Sequence, residues 1–238
     1  PTPGTGDNDR FFLKIMQSGS EVARIKDTEV TVRINVVHGN RIIVANSLDI
    51  FEKYLNDKNS VMEGVLEIPV SELKLVEGNL YDVEEWDLNF GLDVLENEGG
   101  ERIVYGKLLN DDGYMSETVQ TSVFVDKTPP EIINPSVSPD PAKEGDVVVV
   151  SFSFSEPLDM SLLEIDWDGL EFTEHDSGSS TVLKYSYTVS RETEERDYLF
   201  TGTAFDELGN GPVEFTLGKL RVDVTPPSIS EENVEVTD

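Results

Sequence analysis

The sequence of 238 residues contains no cysteine and only two histidines, His38 and His175. Disulfides, thiolate metal sites and cysteine catalysis are therefore excluded, and neither histidine has a second histidine at metal-ligand spacing. Lysine and arginine are scarce, with 18 residues against 48 aspartates and glutamates, which gives a net charge of −30. This charge argues against nucleic acid and anionic membranes as partners, because both are bound through clustered basic residues. No stretch reaches the roughly 18 apolar residues of a membrane span, so we predict no direct membrane insertion.

The sequence nevertheless has the composition of a folded protein. Hydrophobic residues make up 37% of it and aromatic residues 8%, which is enough to form a core. High net charge with few hydrophobic residues would instead indicate disorder. We therefore expect the acidic residues to lie on the surface of a folded chain. It begins at Pro1 and ends within a strand-like segment, so we expect it to be part of a longer polypeptide.

An internal repeat is the most informative feature of the sequence. Residues 124–132, which include Val-Asp-Lys-Thr-Pro-Pro, return 97 positions later as residues 221–229, which include Val-Asp-Val-Thr-Pro-Pro. This offset is close to the length of one β-sandwich domain, about 100 residues. Paired prolines form a stiff spacer and end a strand, although an ordinary loop is the alternative. We predict a linker at residues 1–8, an enlarged sandwich at 9–126, a second sandwich at 127–223, and a linker with the start of a further module at 224–238.

The hydrophobic pattern predicts strands in both modules. In the second module the predicted strands include residues 132–137, 148–154, 163–167, 185–189, 198–204 and 213–222, and a change of phase at Gly218 indicates a β-bulge. In the first, strands are predicted at residues 11–16, 30–37, 41–45, 61–68, 88–95, 103–109 and 119–125. Residues 47–56 have helical spacing, and residues around 47–60 and 77–87 are predicted to be insertions. The fold class is all-β, with tandem immunoglobulin-like sandwiches.

Three short motifs resemble those of the bacterial immunoglobulin-like modules that occur in tandem in large surface proteins. These motifs are the Val-Asp-x-Thr-Pro-Pro ends, Asp206-Glu207-Leu208-Gly209-Asn210, and Phe154-Ser155-Glu156-Pro157. The resemblance covers residues 126–227, whereas in residues 9–125 only the last strand and its proline junction match. It implies a spacer or adhesive module of an adhesin, a surface-layer (S-layer) protein or a secreted multidomain enzyme, at the prokaryotic cell surface or outside the cell. The implied partners are neighbouring modules of the same chain.

The carboxylates of these motifs form a candidate calcium site. In an immunoglobulin-like sandwich, the loops that carry Glu156, Asp206 and Glu207 lie at the end where the linker with Asp126 arrives. Ca²⁺ prefers such hard oxygen ligands, and the resemblance also implies calcium between domains. The alternative is that Asp206 caps a tight turn, with Gly209 and Asn210 at positive φ, and that Asp126 bonds amides of its own turn. The two interpretations are compatible.

Catalysis has little support in the sequence, and we predict that the protein is not an enzyme. Glu84-Glu85 and Glu194-Glu195 resemble a glycosidase pair only as closely as chance allows among 48 carboxylates. Trp86 and Trp167 lie either in the sandwich cores or on the surface as platforms for sugar rings. The sequence therefore predicts a non-catalytic spacer that calcium rigidifies. The alternative is a carbohydrate- or protein-binding module of a larger adhesin or extracellular enzyme, which would contact a cell-surface protein or glycan.

Overall fold

The computed structural model describes residues 10–57, 62–95, 98–175 and 181–226. The chain divides into two compact units, unit 1 at residues 1–128 and unit 2 at residues 129–238. The predicted linker at residues 1–8 lies outside the described residues, as do residues 227–238 of the predicted further module. Within the described ranges, no helix is long and apolar enough to cross a bilayer.

Unit 1 is a sandwich of two five-stranded sheets. Its elements are β1 (Phe12–Gln17), β2 (Ser20–Glu21), β3 (Arg24–Ile25), β4 (Glu29–Asn35), β5 (Arg41–Ala45), α1 (Leu48–Asn56), β6 (Val65–Pro69), β7 (Lys74–Glu77), β8 (Leu80–Asp87), β9 (Gly100–Leu109) and β10 (Val119–Val125). The strand orders are β2-β1-β4-β8-β7 and β3-β10-β9-β5-β6. All pairs are antiparallel except β3 with β10. The inward residues of both sheets form one core, which includes Val32, Ile34 and Val104.

The predicted helix of unit 1 covers part of the outer face of a sheet. Alternation along β5 directs Ile42 and Val44 into the main core and Ile43 to the other face. There Ile43 joins a second, smaller cluster with Ala45, Phe51 and Val65. Ser47 is the N-cap of α1 and accepts a hydrogen bond from the backbone N–H of Ile50. The predicted short helix is therefore confirmed, with a packing role of its own.

Two predictions for unit 1 are wrong. The insertion predicted around residues 77–87 is wrong, because residues 80–87 form β8, which pairs with β4. Residues 88–95 do not form a strand, because Gly91 has a φ of +74° and short-range bonds such as Leu92 N–H to Asn89 O close turns there. A bulge at Glu84 and Glu85 interrupts the alternation along β8 and hides the strand in the sequence.

Unit 2 has the strand order of an immunoglobulin-like sandwich. Its strands are β11 (Ile132–Ser138), β12 (Val147–Phe154), β13 (Glu164–Asp166), β14 (Thr173–His175), β15 (Val182–Thr188), β16 (Asp197–Ala204) and β17 (Val213–Arg221). The sheet orders β11-β12-β15-β14 and β13-β16-β17 correspond to the ABED and CFG sheets of the constant type. Unit 1 follows the same plan with three additional strands, β2 beside β1, β3 beside β10 and β6 beside β5. The predicted fold class, all-β with immunoglobulin-like sandwiches, is confirmed.

The core of unit 2 is rich in aromatic rings. Val148, Val150, Phe152 and Phe154 of β12 point inward as predicted and pack against β16 and β17 residues such as Phe200 and Phe215. The predicted bulge at Gly218 is also confirmed, since the register shifts there opposite Phe200 and Thr201 and the glycine φ is +146°. The short strand β14 was not predicted.

Candidate functional site

The turn between β16 and β17 is organised by the carboxylate of Asp206. Its Oδ1 accepts the backbone N–H groups of Leu208 at 2.9 Å and Asn210 at 2.6 Å, and its Oδ2 accepts the side-chain amide of Asn210 at 2.8 Å. Asp206 and Asn210 are both buried. The turn-capping role predicted for Asp206 is therefore present. Positive φ at Asn210 was predicted wrongly, because Gly209 and Gly211 adopt it while the Asn210 side chain bonds Asp206.

Glu156 lies beside this turn within unit 2. It follows β12 by two residues, and the segment after it is held against the end of β16. Leu158 forms an isolated β-bridge with Asp206, and the Asp159 N–H donates to Phe205 O at 3.0 Å. One carboxylate oxygen of Glu156 lies within 4.8 Å of a carboxylate oxygen of Asp206. The fold thus brings two of the predicted ligands together, one buried and one half-buried.

The other two predicted ligands have different surroundings. Glu207 is the exposed second residue of the turn, and its carboxylate lies outside the group of acidic oxygens that includes Glu156 and Asp206. Asp126 directly follows β10 in unit 1, where its N–H donates to Ile25 O at 2.7 Å. Its Oδ1 accepts the Thr128 N–H at 3.0 Å, and its Oδ2 pairs with the Arg24 guanidinium. The predicted bond from Asp126 to its own turn is therefore present.

The oxygen atoms of Glu156 and Asp206 fit a hard cation. Calcium binds carboxylate oxygens at about 2.3–2.6 Å, so two such oxygens on opposite sides of one ion are about 5 Å apart. The separation of up to 4.8 Å is compatible with that arrangement. Asp206 already accepts three N–H groups, and an ionised carboxylate has about four acceptor positions. It can therefore give a cation about one further contact, and the rest of the shell must come from other oxygens.

Neither tryptophan forms an exposed platform. Trp86 is only 3% exposed, packs edge-to-face on Phe90, and donates its indole N–H to Asn46 Oδ1 at 2.8 Å. Trp167 is half-buried and stacks on Phe172 with ring centroids 4.3 Å apart. It also packs edge-to-face on Phe200 of the core, with ring centroids 5.6 Å apart. Both rings are therefore occupied by protein neighbours, as expected for core tryptophans of sandwiches.

The adjacent glutamate pairs are engaged in structural contacts. Glu84 pairs with Lys74, and Glu85 has a φ of +54° within the β8 bulge. Glu194 pairs with Arg196, and Glu195 accepts a hydrogen bond from the Thr225 hydroxyl. His175 bonds the Ser186 hydroxyl at 2.7 Å. None of these contacts assembles a general acid with a nucleophile or base.

A buttressed ion pair in unit 2 was not predicted from the sequence. Arg196 donates two hydrogen bonds to the Asp168 carboxylate, at 2.8 and 3.1 Å, and lies 3.8 Å from the centroid of the Tyr198 ring. The hydrogen bonds from Arg196 and from the Leu199 N–H lower the pKa of Asp168. The two partners are 28 residues apart, and Asp168 has a φ of +55°. The context Asp-Gly signals a turn, but nothing in it identifies Arg196 as the partner.

Comparison with known proteins does not assign the chain to a family. No family model and no curated protein matches the chain. Among solved structures it is similar to fibronectin(III)-like modules of Clostridium thermocellum CbhA, with 11% identity, 90% of this chain and 94% of that chain covered, and a TM-score of 0.32. The titin domains Z1Z2, in complex with telethonin, match with 12% identity, 92% and 97% coverage, and a TM-score of 0.30.

Dpr2 Ig1-Ig2, in complex with DIP-Theta Ig1-Ig3, matches with 11% identity, 90% and 66% coverage, and a TM-score of 0.34. The identities and TM-scores of all three structures are low, so they carry no inference about function. The fold is assigned from the order of the strands in each sheet, and the function has to be argued from the residues.

Proposed function

We propose that this chain is a pair of non-catalytic structural modules from a larger prokaryotic cell-surface or secreted protein. The observation that carries the proposal is that each unit is a complete sandwich with its own core. In both units, the conspicuous polar side chains cap turns, form ion pairs or bond backbone groups. Polar side chains used in this way stabilise the fold, which is what a spacer requires, because its function depends on stiffness and not on a chemical reaction. The neighbouring modules of the same chain are then its first partners.

The surface charge supports a location in which many modules are exposed side by side. A net charge of −30 keeps repeated sandwiches soluble and stops them from adhering to one another. A chain without cysteine also folds without regard to the redox state of its surroundings. Both properties suit an adhesin, an S-layer protein or the spacer region of a multidomain enzyme.

Calcium is the second part of the proposal. A Ca²⁺ ion on Glu156 and Asp206 would neutralise two carboxylates that repel one another and would fix the loop after β12 against the β16–β17 turn. From the sequence we add Glu207 and Asp126 as further ligands, and Asp126 would couple the ion to the stretch that ends unit 1. A bound ion stabilises the folded state in proportion to the logarithm of its concentration over Kd.

Small-angle X-ray scattering of the whole chain, with calcium and with chelator, tests the spacer proposal. We expect the radius of gyration and the maximum dimension of the wild type to vary less between preparations in calcium than in chelator. We expect D206N in calcium to scatter like the wild type in chelator. D112N is the matched control, since it removes one exposed carboxylate from the corresponding turn of unit 1. Identical scattering of wild type in calcium and in chelator would remove the calcium part of the proposal.

A protein-binding module is the second candidate function. Sugar stacking is disfavoured because Trp86 is buried and the half-buried Trp167 is stacked on Phe172. The open sheet face of unit 2, in contrast, leaves a surface for a protein partner. If glycans quench Trp86 or Trp167 fluorescence, this preference for protein over sugar is wrong.

A further inference from the structure

Unit 1 holds its chain in place beyond the end of its last strand. The N–H of Asp126 donates to Ile25 O at 2.7 Å, so the residue after β10 is still bonded to β3. Asp126 Oδ1 accepts the Thr128 N–H at 3.0 Å, which closes a turn through the side chain. Asp126 is buried, and its Oδ2 pairs with Arg24. We call the backbone bond and the side-chain turn of this aspartate the exit clamp.

Unit 2 ends in an exit clamp of its own. The N–H of Asp223 donates to Ala142 O at 2.9 Å, and Asp223 Oδ1 accepts the Thr225 N–H at 3.2 Å. The bridge that Ala142 forms is parallel, as is the pairing of β3 with β10. In this register Pro141 occupies the position of Arg24, so the second clamp forms without that arginine. The clamp therefore recurs with the Val-Asp-x-Thr-Pro-Pro repeat, and its common part is the aspartate.

Unit 2 also fixes the far side of the connection between the units. The N–H of Glu131 donates to Ser155 Oγ at 2.9 Å, and the N–H of Ser155 donates to Glu131 O, also at 2.9 Å. The next residue, Ile132, begins β11 and pairs with Phe154. The chain is therefore bonded to the sheet of unit 2 from residue 131 onward.

Two prolines, Pro129 and Pro130, lie between the clamped Thr128 and the bonded Glu131. A proline ring fixes φ at about −65°, and a proline restricts the residue before it to extended conformations. Both Thr128 and Pro129 precede a proline, so their ψ angles are restricted as well. The connector therefore has far less rotational freedom than a linker of small polar residues.

We propose that the exit clamp is a positioning device for the next unit. Asp126 extends the ordered part of unit 1 as far as Thr128, so that the two prolines transmit bending between the units without a bound ion. Without the clamp, Lys127 and Thr128 would join the prolines, and the connector would grow from two residues to four. This inference rests on the proposed spacer function and adds a source of stiffness that does not depend on calcium.

Double electron–electron resonance on the whole chain tests the proposal. Because the chain contains no cysteine, Q120C/T216C supplies one exposed labelling site in each unit and no others. In chelator, we expect D126A to broaden the distribution of label distances about 1.5-fold or more, because two further residues become free to rotate. D126N keeps an oxygen for the Thr128 N–H and should broaden it far less. R24Q should also have a small effect, since the second clamp forms without an arginine.

Two further variants locate the effect. D223A makes the same change in the clamp that follows unit 2, so it is the matched control and should leave the distribution unchanged. P129G/P130G keeps both sides of the connection bonded and frees the connector itself, so it should broaden the distribution even if D126A does not fold. Circular dichroism and tryptophan fluorescence establish that each variant is folded.

The outcomes separate this inference from the calcium proposal. A folded D126A as narrow as the wild type in chelator would overturn the clamp, as would P129G/P130G with an unchanged distribution. A wild type that is as broad as P129G/P130G in chelator and narrows only in calcium would also overturn it, while leaving the calcium proposal in place. A wild type that is narrow in chelator, broadened by D126A and not narrowed further by calcium would support the clamp and remove the calcium proposal.

Discussion

The β9–β10 turn of unit 1 and the β16–β17 turn of unit 2 have the same backbone bonds. In unit 2, Asp206 N–H donates to Asn210 O and Gly209 N–H donates to Asp206 O, both at 3.1 Å. In unit 1 the equivalent bonds run from Asn110 N–H to Tyr114 O and from Gly113 N–H to Asn110 O, also at 3.1 Å. The glycines have φ values of +81° and +84°. The two segments share only the glycine and the shape of the side chain at the first position, and they nevertheless form the same type of turn.

The difference lies in the charge of the first residue. Asn110 Oδ1 accepts the Tyr114 N–H at 2.9 Å, just as Asp206 Oδ1 accepts the Asn210 N–H. An amide oxygen is thus sufficient for the turn, and the negative charge of Asp206 is a separate property. In unit 2 the carboxylate is buried and has Glu156 nearby, whereas unit 1 has Asn35, Val36 and Val37 at the end of β4. The comparison teaches that the turn geometry does not require the negative charge on which the proposed cation site depends.

The largest expected effect concerns α1, the helix that covers part of the outer face of a sheet in unit 1. F51A removes the fully buried ring that joins α1 to β5, and we expect unit 1 to lose about 3–5 kcal/mol of unfolding free energy. Urea unfolding followed by Trp86 fluorescence in the W167F background measures it, because Trp86 is then the only tryptophan. L48A, on the exposed side of the same helix, is the control and should cost far less. Comparable losses in the two variants would mean that the helix does not pack as described.

The turn of unit 2 gives the next largest effect. D206A leaves the N–H groups of Leu208 and Asn210 without their acceptor in a buried turn, and we expect a loss of about 2–3 kcal/mol from unit 2. D206N keeps an oxygen in place and should cost less, about 1 kcal/mol. Trp167 fluorescence in the W86F background follows this unit. A D206N variant as unstable as D206A would show that the charge, rather than the acceptor, holds the turn.

The reverse substitution sharpens the same point. N110D gives unit 1 the charge of unit 2 while preserving the acceptor for the Tyr114 N–H. We expect a change in unfolding free energy of less than about 1 kcal/mol and no response to calcium, because no carboxylate follows β4 directly. Unfolding of N110D in calcium and in chelator, followed by Trp86, measures both. A calcium-dependent stabilisation of this variant would mean that a single turn aspartate suffices.

The smallest expected effect concerns pH. Hydrogen bonds from Arg196 and Leu199 lower the pKa of Asp168 in the folded state. The ionised carboxylate therefore contributes stability above its unfolded pKa of about 3.9, and this contribution is lost as the pH falls through the lower folded pKa. We expect D168N to have a lower melting temperature than the wild type at pH 7, and the difference to shrink on acidification. A difference that stays constant to pH 2 would exclude the ion pair as its source.

The sequence predicts those strands in which buried and exposed residues alternate without interruption. The strands of unit 2 and the Gly218 bulge belong to this class, because Phe152, Phe154, Phe215 and Leu217 alternate with polar residues and Gly218 marks the change of phase. β8 could not be predicted from alternation, since its bulge places Glu84 and Glu85 together on the exposed side. β14 consists of three exposed residues at a sheet edge and has no hydrophobic pattern.

The candidate site was predictable only in part. The loops that bear Glu156 and Asp206 come together in any sandwich of this topology, so their proximity within unit 2 follows from the strand order. The Asn210 side chain could not be assigned, because asparagine in a tight turn suggests a positive φ and only the fold shows that its amide bonds Asp206.

Thermal unfolding in calcium and in chelator, followed separately for each unit, tests the central claim most directly. The claim is that the two turns share a geometry but that only the one in unit 2 holds a cation. Trp86 in the W167F variant reports on unit 1, and Trp167 in the W86F variant reports on unit 2. We predict that calcium raises the melting temperature reported by Trp167, that D206N abolishes this shift, and that the Trp86 transition, which the ion would reach only through Asp126, moves far less. No shift in the Trp167 transition, or an equal shift in both, would contradict the account.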